Sequence, residues 1–419
     1  MIINVDIMEI VLSLSSIIDL ACPQLNEHHA RVAHIARNIA ETAGLDGKAC
    51  ENIYVAALLH DCGALSLKDK IKALDFDARL EQGHSEVGYK LLKPLKYFDE
   101  AAGIIRHHHV WWNKPKAGSN APGDIPEESY ILHLADRVDV LTKRNVDILE
   151  QADGIRAKIA KESARMFKPE LTDIFLKLSE KDAFWTGIGQ ASGKSLPEGS
   201  QYKLAMGKQD LLEIVNAFDR IIDFRSRFTA THSRGVAIVS QELARCMDMD
   251  EDEVFMLRLA GAFHDIGKIG VPLELLEKKG RLTEEEYEDV RRHAMLSYEV
   301  LSKIKCLEPI KEYAAYHHER LDGTGYPFGL RAEDLSTGAR IVAVSDMFTA
   351  MTEDRPYRKG METEETLKIL KTLAEKGKLD ECIVGVLEKR LDKFKEIQYN
   401  EQNTATKEYK QFLKVAYAS

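Results

Sequence analysis

Cysteine is scarce in this 419-residue sequence, and the six present (Cys22, Cys50, Cys62, Cys246, Cys306 and Cys382) are scattered, with no Cys-x-x-Cys among them. That excludes a zinc ribbon or a dithiol redox motif and points to a reduced, cytoplasmic protein. No apolar run reaches the roughly 20 residues that a membrane helix needs. The stretch MIINVDIMEIVLSLSSIIDLACPQL comes nearest, but Asp6, Glu9 and Asp19 interrupt it and it has no basic start. It reads as an amphipathic first helix, not as a signal peptide or a membrane-inserted segment. Positive charge is in deficit: 58 Lys and Arg stand against 68 Asp and Glu, a net charge of −10. A binder of polymeric nucleic acid normally shows a basic face, so that class is excluded, whereas a small anionic ligand in one local cationic pocket is not.

Alternating strand patterns are scarce as well, and what replaces them is helical periodicity. In QDLLEIVNAFDRIIDF, residues Leu211, Leu212, Val215, Phe218, Ile221 and Ile222 fall on one stripe. ACENIYVAALLHD and DEVFMLRLAGAFHD are apolar nearly all round and read as buried helices. The fold class expected is therefore all-α. One segment breaks the pattern: TGIGQASGKSLPEGSQYK, from Thr186 to Lys203, is rich in Gly, Ser and Pro and reads as a linker. GQASGKS within it looks like a phosphate-binding loop, but that motif needs four residues between its glycines, and Gly189 and Gly193 are separated by three. The expected division is residues 1–185, a linker over 186–208, and 209–419.

The two halves repeat each other. Thirty-two positions separate His28 from His60, and 32 separate His232 from His264. His84 precedes His108 by 24, as His293 precedes His317. His108-His109 matches His317-His318, and Asp136 and Asp346 follow at 27 and 28 positions. A single His-Asp pair carries no information, because a histidine in an apolar helix is usually a packed core residue. Seven residue types in one order at nearly equal spacings indicate duplication. Imidazoles and carboxylates together make a mixed N/O site suited to Fe, Mn or Zn. Seven side chains exceed the needs of one tetrahedral zinc, so a two-metal site that activates water and clamps a phosphoryl oxygen is the better fit.

HDIGKIG followed by HHERLDGTGYP resembles the HD-GYP family, bacterial cyclic dinucleotide phosphodiesterases within the HD superfamily of metal-dependent phosphohydrolases. The resemblance runs from about Leu211 to beyond Arg358, with THSRGVA, HDIGKIGVP and VSDMFTAMTEDRPYRKG in family order. The first half resembles a plain HD domain, so the fold implied is a tandem of HD helical bundles. By resemblance, His232, His264, Asp265 and Asp346 are ligands of one divalent ion, with Asp265 bridging to a second held by His293, His317 and His318. Two ions, Fe or Mn, are implied rather than three, since Phe228 stands where some members carry a ligating glutamate. Lys268 is implied as the cation at the scissile phosphate, and Tyr326, Arg355 and Arg358 as substrate contacts. The glycines of the loop, Gly323 and Gly325, are expected at positive φ.

The first half keeps His28, His60, Asp61, His84, His108, His109 and Asp136 as a second metal-binding set. It has Ala64 for the lysine and lacks Gly-Tyr-Pro, and its Trp111 and Trp112 are expected in packing or an interface. A role in regulation or in forming a homodimer is expected of it, and a second active site with another substrate stands as the alternative. The activity implied is hydrolysis of cyclic di-GMP or cyclic GMP-AMP by metal-bound hydroxide to a linear dinucleotide or mononucleotides. A non-catalytic cyclic-dinucleotide sensor and an HD phosphohydrolase of nucleotide monophosphates stand as alternatives.

Overall fold

The computed structural model describes residues 2–20, 27–64, 76, 83–113, 125–190, 203–223, 227–276, 278, 280–354 and 359–416. Helices dominate, as the periodicity predicts, and among the described residues none is long and apolar enough to cross a membrane. One feature lies outside that expectation. The chain opens on a strand, Ile2–Asp6 (β1), which pairs antiparallel with Lys203–Gly207 (β2), Asp6 opposite Lys203. Val5 and Met206 bury fully on this ribbon. Five residues are too few to display alternation, and the partner strand lies some 200 positions away, so neither strand is visible locally. The amphipathic helix expected at the start begins only at Ile7 and runs to Leu20.

Two compact units result. One joins residues 1–13 to 202–415, and the other is built on 14–201. The N-terminal residues thus group with the second half through β1, and not with residues 14–185. The segment expected as a linker, 186–208, is shorter in the structure. Helix Asp182–Gly189 enters it at one end and β2 at the other, while 191–202, including most of GQASGKS, lies outside the described residues.

Each unit uses an apolar helix to carry its His-Asp pair inward. Gly47–Leu59 starts at Asp46, whose carboxylate accepts from Ala49 N at 2.8 Å. Its counterpart Glu251–Phe263 starts at Asp250, which accepts from Asp252 N and Glu253 N, each at 2.9 Å. Ile53, Ala56, Leu58 and Leu59 in the first, and Leu257, Leu259 and Ala260 in the second, are fully buried. At about 1.5–3 kcal/mol for each large aliphatic side chain, that burial fixes the helix ends in the core. Both helices stop at the histidine of the pair, His60 or His264.

The glycine two residues past each Asp permits a close crossing. A Cβ on Gly267 would lie 2.1 Å from His293 O, and one on Gly63 would lie 2.1 Å from His84 O. The helices crossing there, Glu284–Leu301 and Gly83–Leu92, each bring a third histidine. The tryptophans of the first half pack within their own unit, Trp111 under the Arg165 guanidinium at 5.0 Å and Trp112 edge-on to Tyr130 at 5.4 Å.

Candidate metal centres

In the second half the seven expected side chains converge. His232 comes from helix Arg227–Cys246, and His264 and Asp265 from the end of Glu251–Phe263. His293 comes from Glu284–Leu301, His317 and His318 from the turn after Glu308–Ala315, and Asp346 from Thr337–Thr352. Two groups of three form, His232 with His264 and Asp346, and His293 with His317 and His318, with the donor atoms of each group within 4.8 Å of one another. Asp265 lies between the groups. Its Oδ2 is 3.1 Å from His264 Nε2 and 3.9 Å from His232 Nε2, while its Oδ1 is 3.4 Å from His293 Nε2 and 3.9 Å from His317 Nε2. One carboxylate therefore presents one oxygen to each group.

The donor chemistry fits divalent cations. A metal-ligating histidine anchors one ring nitrogen and offers the other. The Nδ1 atoms of His264, His293 and His317 each meet the carbonyl three residues earlier, on Gly261, Val290 and Ala314, at 2.6–2.8 Å. His232 Nδ1 faces the buried carboxylate of Glu353 at 3.1 Å. His264 Nε2 and Asp265 Oδ1 are buried without a well-formed hydrogen bond, which is costly unless a cation satisfies them. The protonation states also suit a metal. Burial pushes His293 down to about 4 and His318 down to about 3, so both are neutral at pH 7. Burial alone would raise Asp265, but His264 and Lys268 outweigh it and hold the carboxyl well below its usual range. His232 goes the other way: burial is outweighed by Glu353 and Asp346, which push it up to about 10 in the absence of a cation.

Lys268 lies in a 3-10 turn, Ile266–Gly270, and its ammonium pairs with Asp265 Oδ2 while its side chain stays 24% exposed. Tyr326 flanks the second group, its ring 4.7 Å from His318 and beneath the Arg291 guanidinium at 4.6 Å. The loop that carries it is shaped by Glu319, a buried carboxylate that accepts from the amides of Phe328 (2.7 Å), Gly329 (3.1 Å) and Leu330 (3.0 Å). Gly323 has the expected positive φ of +78°. Gly325 is required for a different reason, since a Cβ there would lie 2.4 Å from Glu319 Cα and Arg320 N.

The first half gathers its seven as well. His84, His108 and His109 form one group and His28, His60 and Asp136 another. Asp61 again lies between, Oδ2 3.5 Å from His60 Nε2 and Oδ1 3.5 Å from His84 Nε2.

An HD-domain family model matches residues 25–141, and a second HD-domain model matches 216–383. The chain carries two HD domains in tandem. It is 29% identical to the 3'3'-cGAMP-specific phosphodiesterase 1 of Vibrio cholerae serotype O1 over 90% of each chain. It is 32% identical to the 3'3'-cGAMP-specific phosphodiesterase 3 of the same organism, over 71% of this chain and 64% of that one. Against the cyclic di-GMP phosphodiesterase of Thermotoga maritima the identity is 37%, over 40% of this chain and 46% of that one. The crystal structure of a cyclic GMP-AMP specific phosphodiesterase of V. cholerae superposes with a TM-score of 0.66 at 24% identity, covering 94% of this chain and 98% of that one, and shares the fold.

Arg355 and Arg358 lie outside the described residues, and so does the side chain of Phe228. The structure adds residues that the motifs do not show. Glu353 stands behind His232, and Asp139 stands behind His28, Oδ2 to Nδ1 at 2.7 Å. Arg291 and Glu319 organise the GYP side. In the first half His29, His133 and Arg137 join the cluster, all buried.

Proposed function

We propose that the HD-GYP half hydrolyses a phosphodiester bond of a cyclic dinucleotide, with His232, His264, Asp265, His293, His317, His318 and Asp346 holding two divalent cations of the Fe or Mn kind. The observation that carries this reading is the Asp265 carboxylate, which turns one oxygen to each of two histidine groups. Two cations a few Å apart, when bound, supply Lewis acidity toward a phosphoryl oxygen and lower the pKa of a water.

The chain's own residues do the rest. Lys268 holds a cation beside Asp265, on the side where the structure is partly open, and there it offsets negative charge developing on the scissile phosphate. Tyr326, braced by Arg291 and by the loop that Glu319 organises, gives a wall against which a base can stack. Arg355 and Arg358 complete the proposal as phosphate or base contacts.

A linear dinucleotide is the product expected when one of the two phosphodiesters opens. The relative that aligns along 90% of this chain is named for 3'3'-cGAMP, which favours that substrate over cyclic di-GMP. The same proposal keeps the reduced cytoplasmic setting and the homodimer expected from the sequence, the latter testable by light scattering. A pure sensor has no use for a lysine beside the bridging carboxylate.

The test is to incubate the full chain, supplied with Mn or Fe, with 3'3'-cGAMP and cyclic di-GMP in parallel and to identify products by mass spectrometry. Hydrolysis of either supports the reading, and Asp265→Ala is expected to abolish it with the helical circular dichroism retained. Near-wild-type turnover by Asp265→Ala would remove this half as the catalytic one.

A further inference from the structure

The two halves differ most in what surrounds the first metal group. In the second half, His232, His264, Asp265 and Asp346 offer four donors there, and the residue after His232 is Ser233. In the first half the residue after His28 is His29, and it turns inward. Its Nδ1 pairs with Asp19, and its Nε2, fully buried and without a hydrogen-bond partner, points to Asp61 Oδ2 at 4.0 Å. His28 is anchored on Nδ1 by Asp139 and reaches Asp136 Oδ1 at 3.5 Å with Nε2. His60 is anchored by Ala57 O at 2.8 Å and lies 3.5 Å from Asp61 Oδ2 and 3.9 Å from Asp136 Oδ1. The three rings surround one point, with centroids 5.0–5.3 Å apart. Three imidazoles with an anchored Nδ1 and a presented Nε2, and two carboxylate oxygens, thus form two adjoining trios, His28 with His60 and Asp136 and His29 with His60 and Asp61, joined at His60.

The other difference is Arg137. It follows Asp136 directly, where Met347 follows Asp346, and its guanidinium donates to Asp136 Oδ2 at 2.5 Å from a side chain only 2% exposed. The corresponding oxygen of Asp346 faces His318 at 3.9 Å. A fixed guanidinium there takes an oxygen and adds a positive charge that opposes a second dication beside His109.

We propose that the first half holds one divalent transition-metal ion, closed in by His28, His29, His60, Asp61 and Asp136, and that it is structural and not hydrolytic. A catalytic ion keeps an open position for water or substrate, whereas a structural one has its coordination filled by protein. His29 supplies the donor that fills it, and Arg137 takes the charge that a second ion would carry. The inference is independent of whether the second half is a phosphodiesterase.

Metal content of the full chain by mass spectrometry tests the number. Asp61→Ala is expected to hold one ion fewer per chain than wild type, whatever the second half holds, and to melt at lower temperature. Loss of no ion or of two would overturn the proposal.

Cobalt tests the closure. In the His264→Ala/Asp265→Ala chain loaded with Co(II), the visible spectrum is expected to be unmoved by inorganic phosphate. His29→Ser, which restores the residue type of the second half, should make it phosphate-sensitive. A phosphate-induced spectral change with His29 present would sink the closed-site reading. Should that double variant not fold, the same comparison on wild type and His29→Ser, each read as a difference from its Asp61→Ala partner, separates the closed site from the open one in the same way.

Discussion

Gly267 is the position at which the fold and the metal chemistry are most tightly joined. A methyl group there would lie 2.1 Å from His293 O, 2.6 Å from Ser297 N and 2.9 Å from Leu296 Cβ. The first two are backbone atoms of one helix and cannot rotate away. The amide of Gly267 also donates to Ser297 Oγ at 3.0 Å, and that hydroxyl donates to His264 O at 2.9 Å, so the crossing is tied on both sides. Restoring ordinary contact requires the helix to retreat by about 1 Å, and His293 retreats with it. Metal–ligand distances tolerate only about 0.2 Å, and a 1 Å misplacement in an active site costs about 10²-fold. Gly267→Ala should therefore lose one of its ions on dialysis and lose about 10²-fold in kcat at saturating metal. Overpacking should cost about 1–3 kcal/mol, read as a fall of a few degrees in Tm. Gly63→Ala meets the same obstacle, with His84 O at 2.1 Å and Gly88 N at 2.4 Å, and should show the same loss of Tm with turnover within about threefold of wild type. A Gly267→Ala chain that keeps its metal and its rate, or a Gly63→Ala chain that loses turnover as severely, would show that this helix crossing does not set the ligand geometry.

Lys268→Ala should lower kcat by about 10²–10³ with metal content unchanged, and a loss confined to KM would assign the lysine to uniform binding instead. Glu319→Gln keeps the shape of the side chain but weakens three charge-assisted amide contacts; it should raise KM by roughly tenfold and leave the metals in place, and unchanged kinetics would separate the loop from substrate binding. For the metal-free protein, the neutral buried histidines make stability fall as pH drops. His293 and His60, pushed down to about 4 by burial, bind their protons earlier in the unfolded chain, so unfolding free energy should decline between about pH 6.5 and 4 by up to a few kcal/mol. His232 contributes with the opposite sign: raised to about 10 by Glu353 and Asp346 against burial, its share is fully present below about pH 6.5 and is lost as pH rises through 10. Urea titrations at pH 4, 5, 6.5 and 9 with chelator present measure both arms, and a flat profile from 6.5 to 4 would contradict the buried neutral state.

The candidate metal ligands were legible because they are His and Asp at nearly fixed spacings in two copies, and helix geometry preserves spacing. What stands behind them was not. Glu353 lies seven residues past Asp346, and Asp139 lies three past Asp136. These are about two turns and one turn of a helix, so both return to the ligand's face and meet the first histidine's Nδ1. No alignment of the halves by residue type pairs a glutamate with an aspartate at different offsets. His29 was hidden for another reason. On a helix it lies about 100° from His28, and only the presence of Asp19 on one ring nitrogen and Asp61 on the other shows that it faces inward. β1 was illegible because its pairing is non-local, and the chain division shifted with it.

Ala64, standing in the first half where the second has Lys268, takes its meaning from where positive charge is placed in each half. In the second half the cation is Lys268, on a short turn, touching the bridging Asp265 and 24% exposed. In the first half it is Arg137, on a buried helix, touching Asp136 instead and 2% exposed. A cation at the edge of a site can be shared with an incoming phosphate. A cation sealed beneath it can only neutralise the protein's own carboxylates. On the proposed reading coordination follows the same division: His29 turns a fifth donor toward the ion in one half, and Ser233 stands at that position in the other. Filling the sphere raises the ion's contribution to folding, because every donor bound in the native state is absent from the unfolded one. It also removes the position a substrate oxygen would take. One HD scaffold cannot maximise both, and a duplicated one can assign retention of the ion to one copy and turnover to the other. Exchanging the two features should then be asymmetric. His29→Ser with Arg137→Met loosens the first ion without creating turnover, because Ala64 still lacks the exposed cation, and chelator resistance with a parallel cyclic dinucleotide assay reads both effects. Turnover arising in that variant with Ala64 unchanged would show that the lysine is dispensable and that the division of labour rests on coordination alone.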